Sequence, residues 1–137
     1  MAMTRDDVLA LLQRFSMEPL STGDVDALDD LVTKDYALQG GSGGVKDLKD
    51  AIRETRAGLP DVTVNLSDVI VEGDRVAYRW TMRGTHRGEY QGIPPTGRPV
   101  NYSGITLLRL DDGKVAEDWF ESSSPSAEEQ LGAPPPG

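Results

Sequence analysis

The apolar positions nearest the N-terminus recur at helical spacing. Val8, Leu11, Leu12 and Phe15 fall at i, i+3, i+4 and i+7 and form one stripe. Thr4 stands before the stripe with Asp7 three residues on, the capping-box arrangement that satisfies the first free N–H groups of a helix. A first helix is therefore predicted from Thr4 onward. Gly23-Asp24 opens a second, short helix whose buried side is Val25, Leu28, Leu31 and Val32, with Tyr36 and Leu38 following as it ends. Gly40-Gly41-Ser42-Gly43-Gly44 is too flexible for the interior of any element. A third helix is predicted from about Val45 to Ala57, packing Val45, Leu48 and Ile52, and Gly58 and Pro60 stop it.

From Val62 the period changes to that of strands. One strand runs to about Val71 and turns at Glu72-Gly73-Asp74; the next runs from Arg75 to about His86. Residues 92–99 form a rigid loop in which Pro94, Pro95 and Pro99 fix φ and remove donors. A long strand follows from Val100 to Leu110, then a hairpin turn at Asp111-Asp112-Gly113-Lys114 and a last strand from Val115 to about Ser122. A short helix is predicted over Ser126–Leu131, inside an acidic, proline-rich tail at about 123–137. Helices followed by antiparallel strands mean an α+β domain spanning 1–137, with the helices on one face of a curved, mainly antiparallel sheet. An apolar pocket between the two layers is the natural consequence.

Composition narrows the chemistry. The chain has 137 residues, enough for one core, and is 37% hydrophobic and 27% charged, which fits a soluble cytoplasmic protein. No apolar run is long enough to span a membrane, and the first residues lack a signal-peptide core. There is no cysteine and one histidine, His86, which excludes thiolate chemistry and multi-histidine metal centres; no metal or other cofactor is expected. The net charge of −9 argues against nucleic acid and anionic membranes as partners. Residues 1–40 hold eight acids and three bases, whereas residues 61–114 hold seven of each. That contrast suggests solvated helices around a more buried sheet.

Residues Gly84-Thr85-His86-Arg87-Gly88 through Gly92-Ile93-Pro94-Pro95-Thr96-Gly97-Arg98 resemble the SnoaL-like polyketide cyclases of the nuclear-transport-factor-2-like superfamily. Leu59-Pro60-Asp61, Asp112-Gly113-Lys114-Val115 with Glu117 and Trp119, and Gln130-Leu131-Gly132 extend the match over most of the chain. The resemblance implies a cone-shaped domain of three N-terminal helices on the sheet, a homodimer packed through that sheet, and a hydrophobic small-molecule substrate. It also implies cofactor-independent acid–base ring closure in secondary metabolism. The sequence departs from the cyclase pattern at its polar pocket positions. The acid–base aspartate aligns with Phe120, its supporting histidine and glutamine with Thr106 and Gly104, and the pocket asparagine with Leu38.

Enolate chemistry needs a base near a C–H bond and a donor near the oxygen that gains charge. On the last strand, alternation puts Ala116, Asp118, Phe120 and Ser122 on one face and Val115, Glu117, Trp119 and Glu121 on the other. If Phe120 faces the pocket, Asp118 does too, and desolvation there suits a carboxylate to acid–base work. Its other reading is a solvated or ion-paired surface carboxylate. Glu121 reaches the pocket only through a bulge. His86 is either a proton shuttle or donor at the pocket rim, or a strand-end residue fixing the proline loop; the second reading carries more weight. Tyr78 and Trp80 share a strand face with Met82 and His86, while Tyr102 and Thr106 lie on the face inferred for the pocket. Tyr102 is a candidate donor and Tyr36 a candidate contact from the helical side, with core packing the competing reading for both. Arg79 suits a substrate carboxylate or an interface ion pair, Tyr90 a lid, and residues 40–44 a mobile cover. The expected function is a cyclase- or isomerase-type tailoring enzyme with Asp118, His86 and Tyr102 as its reacting groups. A non-catalytic binding module and a dimerisation module are the rivals.

Overall fold

A computed structural model describes residues 3–122 of the chain. The helix predicted over Ser126–Leu131 and the proline-rich tail lie outside the described residues. Helix α1 (Arg5–Leu12) begins as its sequence dictates, with Thr4 Oγ1 accepting from the Asp7 N–H at 3.1 Å and Asp7 Oδ2 accepting from the Thr4 N–H at 2.9 Å. The rod continues through a π-helical turn (Gln13–Met17) into helix α2 (Glu18–Thr22), and Gly23 ends it in the left-handed conformation at φ +82°. Pro19 explains the π turn. A proline there has no N–H for the carbonyl four residues back and its ring crowds that carbonyl, so the helix widens by one residue to pass it.

The second predicted helix is only a 3-10 turn (Asp26–Asp30), and Val32–Leu38 is a strand, β1. The apolar residues of this stretch are buried as expected, yet Tyr36 and Leu38 belong to the sheet rather than to a helix end. Helix α3 (Val45–Gly58) starts where the Gly44 N–H donates to Asp47 Oδ2 at 2.8 Å. The remaining strands follow the predicted alternation closely: β2 (Thr63–Glu72), β3 (Arg75–Thr85), β4 (Pro99–Asp111) and β5 (Lys114–Ser122).

The five strands form one open, curved sheet in the order β1-β5-β4-β3-β2, antiparallel except for the parallel β1–β5 pair. The rod and α3 cover its concave face. Val8, Leu11, Leu12 and Phe15 from the rod and Ile52 from α3 meet Val76, Tyr78, Leu108 and Val115 there in the main core. A smaller cluster of Leu59, Val62, Tyr90, Ile93 and Val100 closes the other end.

Two local devices matter for the site. Between Arg109 and Leu110 the β4–β5 register slips, so that Val115 pairs with Leu110 and Glu117 with Arg109. This bulge turns Val115 into the core, fully buried, against the expectation that it shares the outer face with Glu117. Downstream of it the alternation holds, with Asp118 opposite Leu108 and Phe120 opposite Thr106. The second device is Gln39, whose amide accepts from the Phe120 N–H at 2.8 Å and donates to the Phe120 C=O at 3.0 Å.

Candidate active site

Between the helical layer and the sheet lies a cavity of about 250 Å³. Phe15, Leu20, Leu48 and Ile52 form its helical wall, and Val64, Leu66, Trp80, Met82 and Phe120 its sheet wall. Polar groups enter at few points: Ser16, Thr55, Tyr78, Thr106 and Asp118. Thr55 spends its hydroxyl on its own helix, donating to the Ala51 carbonyl at 2.9 Å. The other four gather where β3, β4 and β5 pass under the π turn.

Asp118 is 5% exposed, and its Oδ2 accepts a 2.9 Å hydrogen bond from the Tyr36 hydroxyl. Among the described residues no cation pairs with it. Burial disfavours the charged form and raises the carboxyl to a pKa of about 6, the Tyr36 hydrogen bond offsetting part of the rise. Tyr36 reaches it from β1, its ring edge-on to Phe15 at 6.4 Å, and burial followed by the Asp118 charge pushes its phenol upward. Tyr78 sits on β3 with its hydroxyl 2.6 Å from Ser16 Oγ and beside its cross-strand partner Thr106. Burial again raises this phenol, the Ser16 hydroxyl pulls it down, and the nearby Asp118 charge adds to the rise.

The sheet register explains the arrangement. Tyr78, Thr106 and Phe120 are cross-strand partners in one row, and Trp80 faces Gly104 in the next. A Cβ on Gly104 would fall 2.5 Å from the Trp80 indole and 2.3 Å from the Glu121 carbonyl oxygen. Glycine at this position lets the indole lie across β4 and form a cavity wall.

Of the candidates read from sequence, the structure brings Asp118, Tyr78, Trp80, Thr106 and Phe120 to the cavity and sets Tyr36 behind Asp118. It does not bring the others. Leu38 pairs with Asp118 across β1–β5 but packs on the core, and Gly104 contributes only the space for Trp80. His86 is fully buried away from the cavity, Nε2 donating to the Ile93 carbonyl at 3.1 Å and Nδ1 accepting from the Thr96 N–H at 3.2 Å. With both ring nitrogens engaged it pins the proline loop. Tyr102 joins the second cluster, its ring tilted against Tyr90 at 6.4 Å, and Tyr90, read as a lid residue, is buried in that cluster.

Three further candidates lie away from the cavity lining. Glu121 pairs with Ile105 on the outer face because the bulge lies before Asp118. Arg79 faces Asp68 at 3.5 Å in solvent. None of residues 40–44 lines the cavity, and Gly40 packs on the Trp119 ring of the outer face. Ser16 was not foreseen from the sequence. Its signal was Pro19, three residues on inside a helical pattern, which marks a π turn next to whatever it widens. Among the described residues, no group of three or more His, Asp or Glu could hold a metal ion, and no helix is long and apolar enough to cross a membrane.

Comparison with known proteins agrees with this fold. The SnoaL-like polyketide cyclase profile matches residues 10–131. TsrD from Streptomyces laurentii superposes with a TM-score of 0.86 at 29% identity, over 97% of this chain and 100% of that one. IdmH from Streptomyces antibioticus, named as a candidate polyketide cyclase, gives 0.73 at 32% identity, over 93% and 97% of the chains. AclR from Streptomyces galilaeus, named as a candidate hydroxylase, gives 0.82 at 25% identity, over 97% and 89%. Among curated proteins none matches the sequence.

Proposed function

The chain belongs to the SnoaL-like polyketide cyclase family, and from that premise we propose that it is a cofactor-independent tailoring enzyme of the cyclase or isomerase type. It acts on a polyketide-like or other hydrophobic metabolite that carries an enolisable carbonyl. The observation that supports this best is Asp118: a carboxyl without a cationic partner, in an apolar cavity, with a pKa of about 6. Above that pH it is a desolvated carboxylate able to take a C–H proton, and once protonated it is an acid able to return it. The enolate formed meanwhile either adds to a second carbonyl, closing a ring, or is reprotonated at another carbon. Tyr36 holds Asp118 in one orientation. On this reading the base lies two residues before Phe120, where the resemblance aligns the family's aspartate, and on the same strand face as Phe120.

The test needs no knowledge of the natural substrate. Deuterium exchange at the α-carbon of hydrophobic cyclic ketones and β-diketones, followed by NMR, reads proton abstraction directly. The wild type should catalyse exchange with a rate rising through pH 6, and Asp118→Asn should lose at least about 100-fold. Undiminished exchange in Asp118→Asn would remove Asp118 from the chemistry.

The rival reading is a non-catalytic binder, favoured by Phe120, Gly104 and Leu38 at positions where the family keeps polar groups. It predicts ligand binding without exchange in the wild type. For the quaternary state we propose a homodimer. Ile70, Leu107 and Trp119 lie with Ala77 in one row across the outer sheet face, flanked by Ile105, and all but Ala77 are large apolar residues left exposed.

A further inference from the structure

The cavity holds a second polar pole, close to Asp118, that the Asp118 chemistry does not use. Asp118 on β5 and Tyr78 on β3 stand either side of β4, two residues out of register, and both side chains reach the same cavity, where the Asp118 charge acts on the Tyr78 phenol. Beside the Tyr78 hydroxyl are two others, Ser16 Oγ at 2.6 Å from the π turn and the hydroxyl of its cross-strand partner Thr106 on β4, which lines the same cavity. When Ser16 and Thr106 donate to the phenol oxygen, both its acceptor sites are filled and its own proton is left for the cavity. A hydroxyl polarised by two donors is a stronger donor itself.

We propose that Ser16, Tyr78 and Thr106 form a hydroxyl relay in which Tyr78 donates to a ligand oxygen and Ser16, placed by the π turn at Pro19, is the positioning residue. The site then takes ligands with an oxygen that gains negative charge, held beside the carbon that Asp118 addresses. No bond is made or broken at this pole: the Tyr78 proton stays on its phenol while the enolate oxygen accepts the hydrogen bond. The inference deepens the acid–base reading and rests on it for its catalytic meaning.

The test is a binding measurement, so that its failure is separate from any failure of the exchange assay. 4-Nitrophenol, whose absorbance reports its ionisation, and nitrobenzene, which lacks the hydroxyl, are titrated from pH 5 to pH 9. The host is the Asp118→Asn protein, in which the competing carboxylate is absent. The relay predicts that 4-nitrophenolate binds about 10- to 100-fold more tightly than nitrobenzene, the range for a hydrogen bond to a charged group. Tyr78→Phe should abolish that preference while leaving nitrobenzene binding within about twofold. Ser16→Ala should lose part of it and raise the apparent pKa of bound nitrophenol, and Ser16→Thr should restore both. A packing defect would weaken both probes alike and leave that pKa unmoved. Equal binding of the two probes, or a preference that survives Tyr78→Phe, overturns the relay. A preference lost in Tyr78→Phe but untouched in Ser16→Ala overturns the role of Ser16.

Discussion

Replacing Asp118 with Asn keeps the side chain's shape and removes the charge that the cavity disfavours, so it should stabilise the protein, and only at the pH where that charge exists. The folded carboxyl has a pKa of about 6 against an ordinary value of 3.8, because burial outweighs the Tyr36 hydrogen bond. The raised value means the folded state binds the proton more tightly than the unfolded chain does. The stabilisation linked to this group is therefore complete below about pH 4 and is lost as pH rises through 6. The difference of 6 − 3.8, about 2 pKa units, corresponds to about 3 kcal/mol. For a chain of this size that is a shift on the order of 10 °C in melting temperature. Tyr36 can donate to the amide oxygen of the variant, so no hydrogen bond is lost by necessity. Thermal unfolding by circular dichroism at pH 4, 6 and 8 should show Asp118→Asn gaining on the wild type with each step, and the two nearest at pH 4. A gap that stays constant from pH 4 to pH 8 would refute the claim that desolvation of this carboxylate governs the site.

Gly104→Ala should cost about 1–3 kcal/mol in urea unfolding, because the added methyl meets both the Trp80 ring and the Glu121 carbonyl. It should also weaken ligand binding by pushing the indole into the cavity. Ile105→Asp, on the exposed outer face, should convert the proposed dimer to monomer in sedimentation velocity while leaving the melting temperature of the protomer nearly unchanged. A wild type that sediments as a monomer would refute the dimer itself.

Much of this was legible in the sequence where periodicity is strong. The capped first helix, the helix after the glycine run and the four strands from Thr63 to Ser122 all announce themselves through local pattern. Strand β1 does not. Val32-Thr33-Lys34-Asp35-Tyr36-Ala37-Leu38 alternates weakly, and its partner β5 lies some eighty residues away, so long-range pairing decides what propensity leaves open. The bulge at Val115 was hidden for a related reason: Val115 and Ala116 are both apolar, and either suits the core. Asp118 could still be placed because Phe120 anchors the face beyond that slip. His86 fixes the proline loop, the reading its sequence position favoured, whereas Tyr102, placed at the pocket by strand alternation, packs in the second cluster with Tyr90. Ser16 became visible only once Pro19 had widened the helix, since a serine beside an apolar stripe ordinarily reads as surface.

The amide of Gln39 has a consequence for how copies of this chain can meet. By satisfying both backbone groups of Phe120 it stands in for one residue of a neighbouring strand just where β1 gives out beside β5. An extended peptide approaching that rim must first displace a side chain held by two hydrogen bonds. Growth of the sheet by lateral addition, the usual path toward fibrils, is thereby discouraged along this margin.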